Sequence, residues 1–299
     1  MTKNSKNVAL VLSSGGARGI AHIGVIEALI ANGYTISSIA GTSMGAVVGG
    51  VYAAGKLDEY KKWLMQLDRL EVFRLIDFTF SSSGFIRGEK VFREMKKFVK
   101  DKNIEDLNIP FCAVACDIVN RKEVVFESGN LYTALRASAA IPTVVTPSTY
   151  NKQQLVDGGV LNPIPVDHVK RSENDIVIIV DVNASIPYEK PAIAVEEKEP
   201  KSAGMFDQFI KKWDELAPNW KSEAKEKSKS KQEKLSYFEL FNKSVNIMQD
   251  QISAHTIEKH QPDILVNVSR EASSTFEFYR AEELIAAGRI ACEKAINKQ

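Results

Sequence analysis

The first 55 residues contain the same pattern twice: a short apolar run, a turn with glycines and a helical stretch. Residues 8–12 are continuously apolar, which is typical of a strand buried on both faces of a parallel sheet. The helical stretch after the first turn ends at Asn32-Gly33, a C-cap signal. Residues 36–40 predict a second strand, and residues 43–54 predict a helix of small side chains. This order of elements predicts an α/β fold.

The rest of the chain continues this alternation until its composition changes. Further strands are predicted at residues 111–117, 124–126, 154–156, 176–182 and 264–268. Further helices are predicted at residues 57–70, 88–100, 131–139, 235–260 and 279–296. Residues 188–234 are instead rich in Lys and Glu and carry no strand pattern. We therefore predict one domain, residues 7–299, interrupted by a charged insertion at 188–234.

Composition limits the classes of protein to which the chain can belong. Of its 299 residues 44% are hydrophobic and 26% charged, and the formal net charge of +1 gives no global attraction to nucleic acid. Three cysteines make no disulfide framework and have no partners at metal-ligand spacing. The N-terminal apolar run is too short for a signal peptide, and no stretch approaches the roughly 20 apolar residues of a membrane span. We expect a cytoplasmic protein with no metal and no nucleic-acid partner, whose membrane contact, if any, is peripheral at the inner membrane face.

A serine between two glycines lies where the second predicted strand meets its helix, in the sequence Gly41-Thr42-Ser43-Met44-Gly45. Such a junction is so tight that only glycines fit on either side of the serine, whose hydroxyl is held above the sheet edge. The helix that begins there also directs N–H groups and its positive dipole end toward an anion formed at the serine. In this context the pattern predicts a nucleophile, Ser43, rather than a structural turn.

A second glycine-rich turn, Gly15-Gly16-Ala17-Arg18-Gly19, follows the first predicted strand. A dinucleotide-binding loop would need glycine at position 14, which is Ser14, and an acidic residue near position 40, which is Ala40. An oxyanion hole, in which backbone N–H groups converge on one point, fits these residues better. Arg18 is expected either to fix the loop or to attract a phosphate head group.

Asp157-Gly158-Gly159, at the end of a predicted strand, supplies a candidate general base. A carboxylate beside a serine hydroxyl can accept its proton if the site is dry enough to raise the carboxylate pKa. By itself, however, Asp-Gly-Gly is a common turn. No histidine of the sequence lies on a short loop after a strand, where a catalytic triad needs one: His22, His168, His255 and His260. A histidine-dependent esterase is an alternative that would require one of the last three.

These three motifs, in this order, resemble the patatin-like phospholipase family. The family's Gly-Gly-x-Arg/Lys-Gly, Gly-x-Ser-x-Gly and Asp-Gly-Gly/Ala motifs appear at residues 15–19, 41–45 and 157–159. Residues 136–142, Arg-Ala-Ser-Ala-Ala-Ile-Pro, are similar to a run that supports the wall of the site in bacterial members. Residues 262–266 and 281–288 resemble the bacterial subgroup related to neuropathy target esterase. Ser14 departs from the glycine that many members carry there, but the Gly-Gly-x-Arg-Gly core is intact.

The resemblance covers about residues 7–183 and 235–296, and it implies a three-layer α/β/α fold with a mostly parallel central sheet. It also implies a serine lipid acyl hydrolase with a Ser43–Asp157 dyad, no cofactor, and a lipid or long-chain ester as substrate. The first motif would form the oxyanion hole and the other glycines would shape the turns: Gly15, Gly16, Ala17, Arg18 and Gly19, then Gly41, Gly45, Gly158 and Gly159. A catalytically weak regulatory or interaction protein on the same scaffold is the alternative function.

Apolar side chains within the predicted insertion recur at helical spacing: Phe206, Phe209, Ile210, Trp213 and Leu216. Aromatic residues on one face of a helix, with lysines nearby, are typical of a helix at a membrane interface. One hypothesis is therefore a lid or membrane-docking element over the acyl site. The other is a helix packed on the domain or on a second subunit, and the oligomeric state is open at this point.

Overall fold

The structure, a computed structural model, describes residues 6–75, 77–81, 84–192 and 237–298. Most of the predicted charged insertion, residues 193–234, lies outside the described residues, and so does its amphipathic segment at 206–216. In the described part, strands and helices alternate along the chain, as the predicted α/β fold requires.

The strands of the described chain are β1 (Asn7–Leu12), β2 (Thr35–Thr42), β3 (Phe78–Ser81), β4 (Gly84–Ile86), β5 (Phe111–Asp117), β6 (Lys122–Phe126), β7 (Thr143–Val145), β8 (Ser148–Tyr150), β9 (Gln153–Asp157), β10 (Ile176–Ala184) and β11 (Ile264–Ser269). Five of these, in the order β11-β10-β1-β2-β5, form a parallel sheet. Strands β6, β9 and β8 extend it with antiparallel pairs, and β3, β4 and β7 form a small separate sheet. The central sheet is therefore mostly parallel, as expected.

Helices cover both faces of this sheet: α1 (Ala21–Ala31), α2 (Met44–Ala53), α3 (Leu57–Gln66), α4 (Arg69–Leu75), α5 (Glu89–Met95), α6 (Leu131–Ser138), α7 (Tyr237–His260) and α8 (Ala281–Ile296). Helices α1, α2, α6 and α8 share one core with Leu10, Leu12 and other side chains of one sheet face. Ile257 of α7 packs on the opposite face, against a second cluster that includes Val11 and Ile179. This arrangement confirms the three-layer α/β/α fold. None of the described helices has the length and apolar composition needed to cross a bilayer.

The helix predicted at residues 57–70 is confirmed as far as Gln66, where α3 ends, but a second helix, α4, begins at Arg69. Asp68 begins a new helix because its Oδ1 accepts the Glu71 N–H at 2.7 Å, while the Glu71 carboxylate accepts the Asp68 N–H at 2.9 Å. This reciprocal capping box outweighs the apolar periodicity that continues across it.

The helix predicted at 88–100 is shorter in the structure, where α5 ends at Met95. The strands β3, β4, β7 and β8 were not predicted, because runs of three or four residues carry little periodicity.

Candidate active site

Strand β5 brings Ser43 and Asp157 together. It pairs with β6 along one of its two edges. Two other strands share the second edge of β5. Strand β2 runs parallel to the first half of β5 and ends with Thr42 beside Val114. Strand β9 runs antiparallel to the second half, with Asp157 beside Ala115. Two strand ends therefore meet head to head, and Ser43, the residue after β2, lies against a side chain 114 positions away in sequence.

The Ser43 hydroxyl donates a hydrogen bond of 2.5 Å to Asp157 Oδ2. The other carboxylate oxygen, Oδ1, accepts the Gly159 N–H at 2.8 Å. Both side chains are nearly enclosed, with Ser43 4% and Asp157 6% exposed. Burial disfavours the charged carboxylate and raises the pKa of Asp157 to about 6, against the opposing effect of these two hydrogen bonds. A carboxylate with such a pKa is ionised at neutral pH and is a stronger base than an exposed aspartate.

The raised pKa predicts that Asp157→Asn stabilises the folded protein above pH 6. A carboxyl that titrates near pH 6 when folded and near 3.9 when unfolded binds more protons in the native state, so wild-type stability falls as pH rises between these values. Asn does not titrate, and its amide can donate to Ser43 while still accepting the Gly159 N–H. We expect the free energy of unfolding of the variant at pH 8 to be higher by up to about 3 kcal/mol.

Urea unfolding at pH 4, 5 and 8 measures this difference, which should be smallest at pH 4. Asp117→Asn serves as a control of opposite sign, because hydrogen bonds from Asn120 hold the pKa of Asp117 below its usual value. That variant should lose stability relative to wild type at pH 8 and approach it as the pH falls through the pKa of Asp117. Equal stability of wild type and Asp157→Asn at all three pH values would contradict the raised pKa.

The backbone at Ser43 has φ 56° and ψ −123°, a conformation that few L-residues adopt. It is held by neighbours: the Ser43 N–H donates to Ser138 Oγ at 2.9 Å, and the Ser138 hydroxyl donates to the Val114 carbonyl at 2.6 Å. A Cβ on Gly45 would lie 2.3 Å from the Leu12 carbonyl oxygen, so only glycine fits there. The family resemblance implied that residues 136–142 support the wall of the site, but the contact of Ser138 with Ser43 was not predicted.

The glycine-rich loop lies beside this turn. A Cβ on Gly19 would be 2.4 Å from the Met44 side chain, which shows how closely the loop approaches the residue after Ser43. The Ala17 N–H donates to the Thr275 carbonyl at 2.9 Å and is therefore occupied. The N–H groups of Gly15 and Gly16 donate to no acceptor within the described ranges. These two N–H groups are thus available to an incoming oxygen atom.

Asn183, at the end of β10, holds both ends of the loop and was not identified from the sequence. Its Nδ2 donates to the Ser14 carbonyl at 2.6 Å, and its Oδ1 accepts from Arg18 Nε and Nη2 at 3.1 and 2.9 Å. Arg18 also donates to the Ser273 carbonyl at 3.0 Å. Of the two roles expected for Arg18, these contacts support fixing the loop. The only sequence signal for Asn183 was its place after the strand at 176–182, on the same sheet edge as the loop.

The histidines have other partners. His22 is fully buried, with its Nε2 2.9 Å from a backbone carbonyl oxygen, and burial lowers its pKa to about 4, so the ring is neutral. His168 and His260 lie 2.7 and 3.2 Å from acidic side chains, and His255 is exposed. In the part of the chain that the structure describes, no histidine hydrogen bonds to Ser43 or Asp157. The same residues contain no group of three His, Cys, Asp or Glu side chains that could hold a metal ion.

Fold and site together define an α/β/α protein with a serine–aspartate pair at the carboxyl edge of a mostly parallel sheet. The sequence model of the patatin-like phospholipase family matches residues 10–170. An uncharacterized NTE family protein of Mycobacterium tuberculosis is 35% identical over 337 residues, which cover 98% of this chain and 92% of that protein. The chain therefore belongs to the patatin-like phospholipase family and to its NTE-related bacterial subgroup, as its motifs suggested.

One further relative and one solved structure are also similar to this chain. Lysophospholipase NTE1 of Debaryomyces hansenii is 33% identical over 189 residues, which cover 60% of this chain and 12% of that protein. The crystal structure of VipD from Legionella pneumophila aligns with 98% of this chain and 67% of its own, with a TM-score of 0.47 and 12% identity, too distant for a functional argument. Membership of the patatin-like phospholipase family places the chain among lipid acyl hydrolases in general.

Proposed function

We propose that the chain is a serine lipid acyl hydrolase of the phospholipase A, lysophospholipase or carboxylesterase type. In this proposal Ser43 is the nucleophile and Asp157 its general base. The observation that carries it is the 2.5 Å hydrogen bond from Ser43 to a buried carboxylate whose pKa is raised to about 6. The substrates are phospholipids, lysophospholipids or other long-chain esters. The similarity to a lysophospholipase supports this substrate class.

Acylation begins when Asp157 Oδ2 accepts the proton of the Ser43 hydroxyl. The freed oxygen attacks the ester carbonyl carbon and forms a tetrahedral intermediate with a negative oxygen. The carbon–oxygen bond to the alcohol then breaks, and the protonated Asp157 returns the proton to the leaving oxygen. The alcohol, a lysolipid or glycerol derivative for a phospholipid substrate, leaves, and the fatty acyl group stays on Ser43 as an ester.

Deacylation repeats these steps with water. Asp157 accepts a proton from a water molecule, whose oxygen attacks the acyl-enzyme carbonyl. The bond between the acyl carbon and Ser43 Oγ breaks, the serine oxygen recovers the proton, and the fatty acid is released. A single carboxylate can serve both halves because each half ends with its proton returned, so no histidine is needed.

The glycine-rich loop would stabilise the oxyanion in both steps through the N–H groups of Gly15 and Gly16, which have no acceptor among the described residues. The Gly15 N–H and the Ser14 carbonyl belong to one planar, trans peptide unit, so they point in opposite directions. Because Asn183 holds that carbonyl at 2.6 Å, it also sets the direction of the Gly15 N–H. Asn183 is therefore a positioning residue for the oxyanion hole.

Asn183→Ala is expected to lower kcat by roughly 10- to 100-fold with little change in KM, because a misdirected donor weakens binding of the transition state more than of the ester. Asn32→Ala is a matched control. Its Nδ2 also donates to a backbone carbonyl, that of Ala28 at 2.8 Å, but at the end of α1 away from the site. Steady-state kinetics and thermal unfolding of both variants give the comparison. Equal kinetic losses in the two variants would remove Asn183 from the mechanism.

Hydrolysis of a defined panel of phospholipids, lysophospholipids and long-chain esters, with products identified by mass, tests the proposed function. Free fatty acid should appear with wild type and not with Ser43→Ala, and it should persist with His168→Ala, His255→Ala and His260→Ala. Loss of turnover in one histidine variant would favour a histidine-dependent esterase instead. If no panel member is turned over faster by wild type than by Ser43→Ala, the proposal fails and a regulatory protein on this scaffold is favoured.

A further inference from the structure

We propose that the hairpin joining β5 and β6 docks the protein on a lipid surface that contains anionic head groups, an inference that rests on the proposed function. Its apical turn, residues 118–121, exposes two adjacent aliphatic side chains: Ile118 is 48% and Val119 66% exposed. Single exposed apolar residues are common on protein surfaces. This turn differs from them in its rigidity, its charge and its position.

The apical turn is rigid because the buried Asp117 carboxylate organises it. Asp117 Oδ1 accepts the N–H groups of Val119 and Asn120 at 3.1 and 3.0 Å. Its Oδ2 accepts the side-chain amides of Asn120 and Gln153 at 2.7 and 2.8 Å. The Arg121 N–H closes the turn on the Asp117 carbonyl at 2.8 Å. The aliphatic pair is thus held outward before docking, which lowers the entropy lost on binding.

Basic residues lie near the aliphatic pair. Arg121 and Lys122 follow it and are exposed. Lys152, also exposed, lies in the turn before β9, and the Ile118 N–H donates to the Gln154 carbonyl of β9 at 3.1 Å. Over the described residues, none of these three cations forms an ion pair. An aliphatic tip among free cations is suited to the boundary between acyl chains and anionic head groups. It is too small for a protein partner, which needs about 800 Å² on each side.

The apical turn extends beyond the carboxyl ends of the parallel strands, where Ser43 lies. Asp157 pairs with Ala115, and Ile118 is three residues further along the chain. At 3.3 Å per residue, Ile118 therefore lies about 10 Å beyond the serine–aspartate pair. Docking of the turn would bring this edge, with the glycine-rich loop and Ser43, against the head groups. A lipid could then reach the site over a short distance.

Vesicle sedimentation in a Ser43→Ala background tests docking separately from catalysis. The vesicles are phosphatidylcholine alone and phosphatidylcholine with phosphatidylglycerol. The double variant Ile118→Ser/Val119→Ser should bind both at least about tenfold more weakly, because the apolar contact is lost. The double variant Arg121→Gln/Lys122→Gln should weaken binding by about fivefold per residue, and only on vesicles with phosphatidylglycerol.

Ile30→Ser is the matched control. Ile30 is also 48% exposed, but it lies at the end of α1, on the opposite edge of the sheet. Its replacement should leave vesicle binding unchanged. The proposal is overturned if the Ser43→Ala protein does not sediment with vesicles, or if the Ile118→Ser/Val119→Ser variant binds them as tightly as its parent.

Turnover with Ser43 intact separates this inference from the proposed function. The Ile118→Ser/Val119→Ser variant should hydrolyse a soluble short-chain ester at the wild-type rate and vesicle lipid at least about tenfold more slowly. If the Ile118→Ser/Val119→Ser variant turns over both substrates normally and binds vesicles as before, the docking role of the turn is rejected and the proposed function stands. If vesicle binding depends on the turn but wild type turns over neither substrate, the proposed function is rejected and the docking role stands.

Discussion

Ser43→Ala is expected to reduce lipid ester hydrolysis by about 10⁴- to 10⁶-fold and to abolish labelling by a fluorophosphonate probe. The magnitude follows from the loss of the hydroxyl that donates to Asp157, since an enzyme without its nucleophile retains only the contributions of its oxyanion hole and substrate binding. Active-site titration with the probe, followed by mass analysis of the labelled peptide, measures the effect directly.

The fold should survive this change, because alanine keeps the backbone N–H that donates to Ser138. Circular dichroism and thermal unfolding check that point. Ser244→Ala is the control for labelling: Ser244 is an exposed serine on α7 whose hydroxyl donates to the Leu240 carbonyl of its own helix. Wild-type labelling is expected for Ser244→Ala. If Ser43→Ala is labelled as fast as wild type, another residue is the nucleophile.

Asp157→Asn should lower kcat by about 10²- to 10⁴-fold, because the amide cannot accept the proton of Ser43. The pH profile is the sharper measurement. Wild-type kcat/KM should rise with pH through a pKa of about 6, since the base must be ionised to act. The residual activity of the variant should lack this step. The variant should at the same time be the more stable protein at pH 8, so the activity loss is not a folding defect.

Asp175→Asn is the matched control for this prediction. Asp175 is also a buried carboxylate, 4% exposed, and it accepts hydrogen bonds from Ser37 and Ser172. It lies just before the start of β10, at the end of the strands opposite to Ser43. Its kcat and pH profile should match those of wild type. A wild-type profile that is flat between pH 5 and 7 would exclude Asp157 as the base.

The local elements of the site could be predicted from the sequence because they depend on neighbouring residues. A continuous apolar run and a glycine on each side of Ser43 are sufficient to indicate a buried strand and a tight turn before a helix. The predicted helix ends were less reliable where a cap competes with periodicity, as Asp68 shows by dividing the helix predicted at 57–70. Strands of three or four residues contain too little pattern to be predicted.

The partners that hold the site could not be predicted, because they come from distant parts of the chain. Ser138 is 95 positions from Ser43, and Asn183 is 165 positions from Arg18. Gln249 of α7 donates to the Gly159 carbonyl at 2.9 Å and so supports the turn after Asp157. Each of these contacts depends on which strands pair and in which register, and pairing is decided by packing of the whole sheet rather than by local propensity.

The sequence by itself determined the three motifs, their order and the α/β class, since these follow from short-range patterns of size and hydrophobicity. Only the tertiary structure decided what Asp157 contacts. The meeting of β2 and β9 on one edge of β5 places its carboxylate on the Ser43 hydroxyl. Burial of the carboxylate at this position raises the pKa of Asp157 to about 6. This increase in pKa depends on burial, and the carboxylate is buried only once distant segments of the chain have packed together.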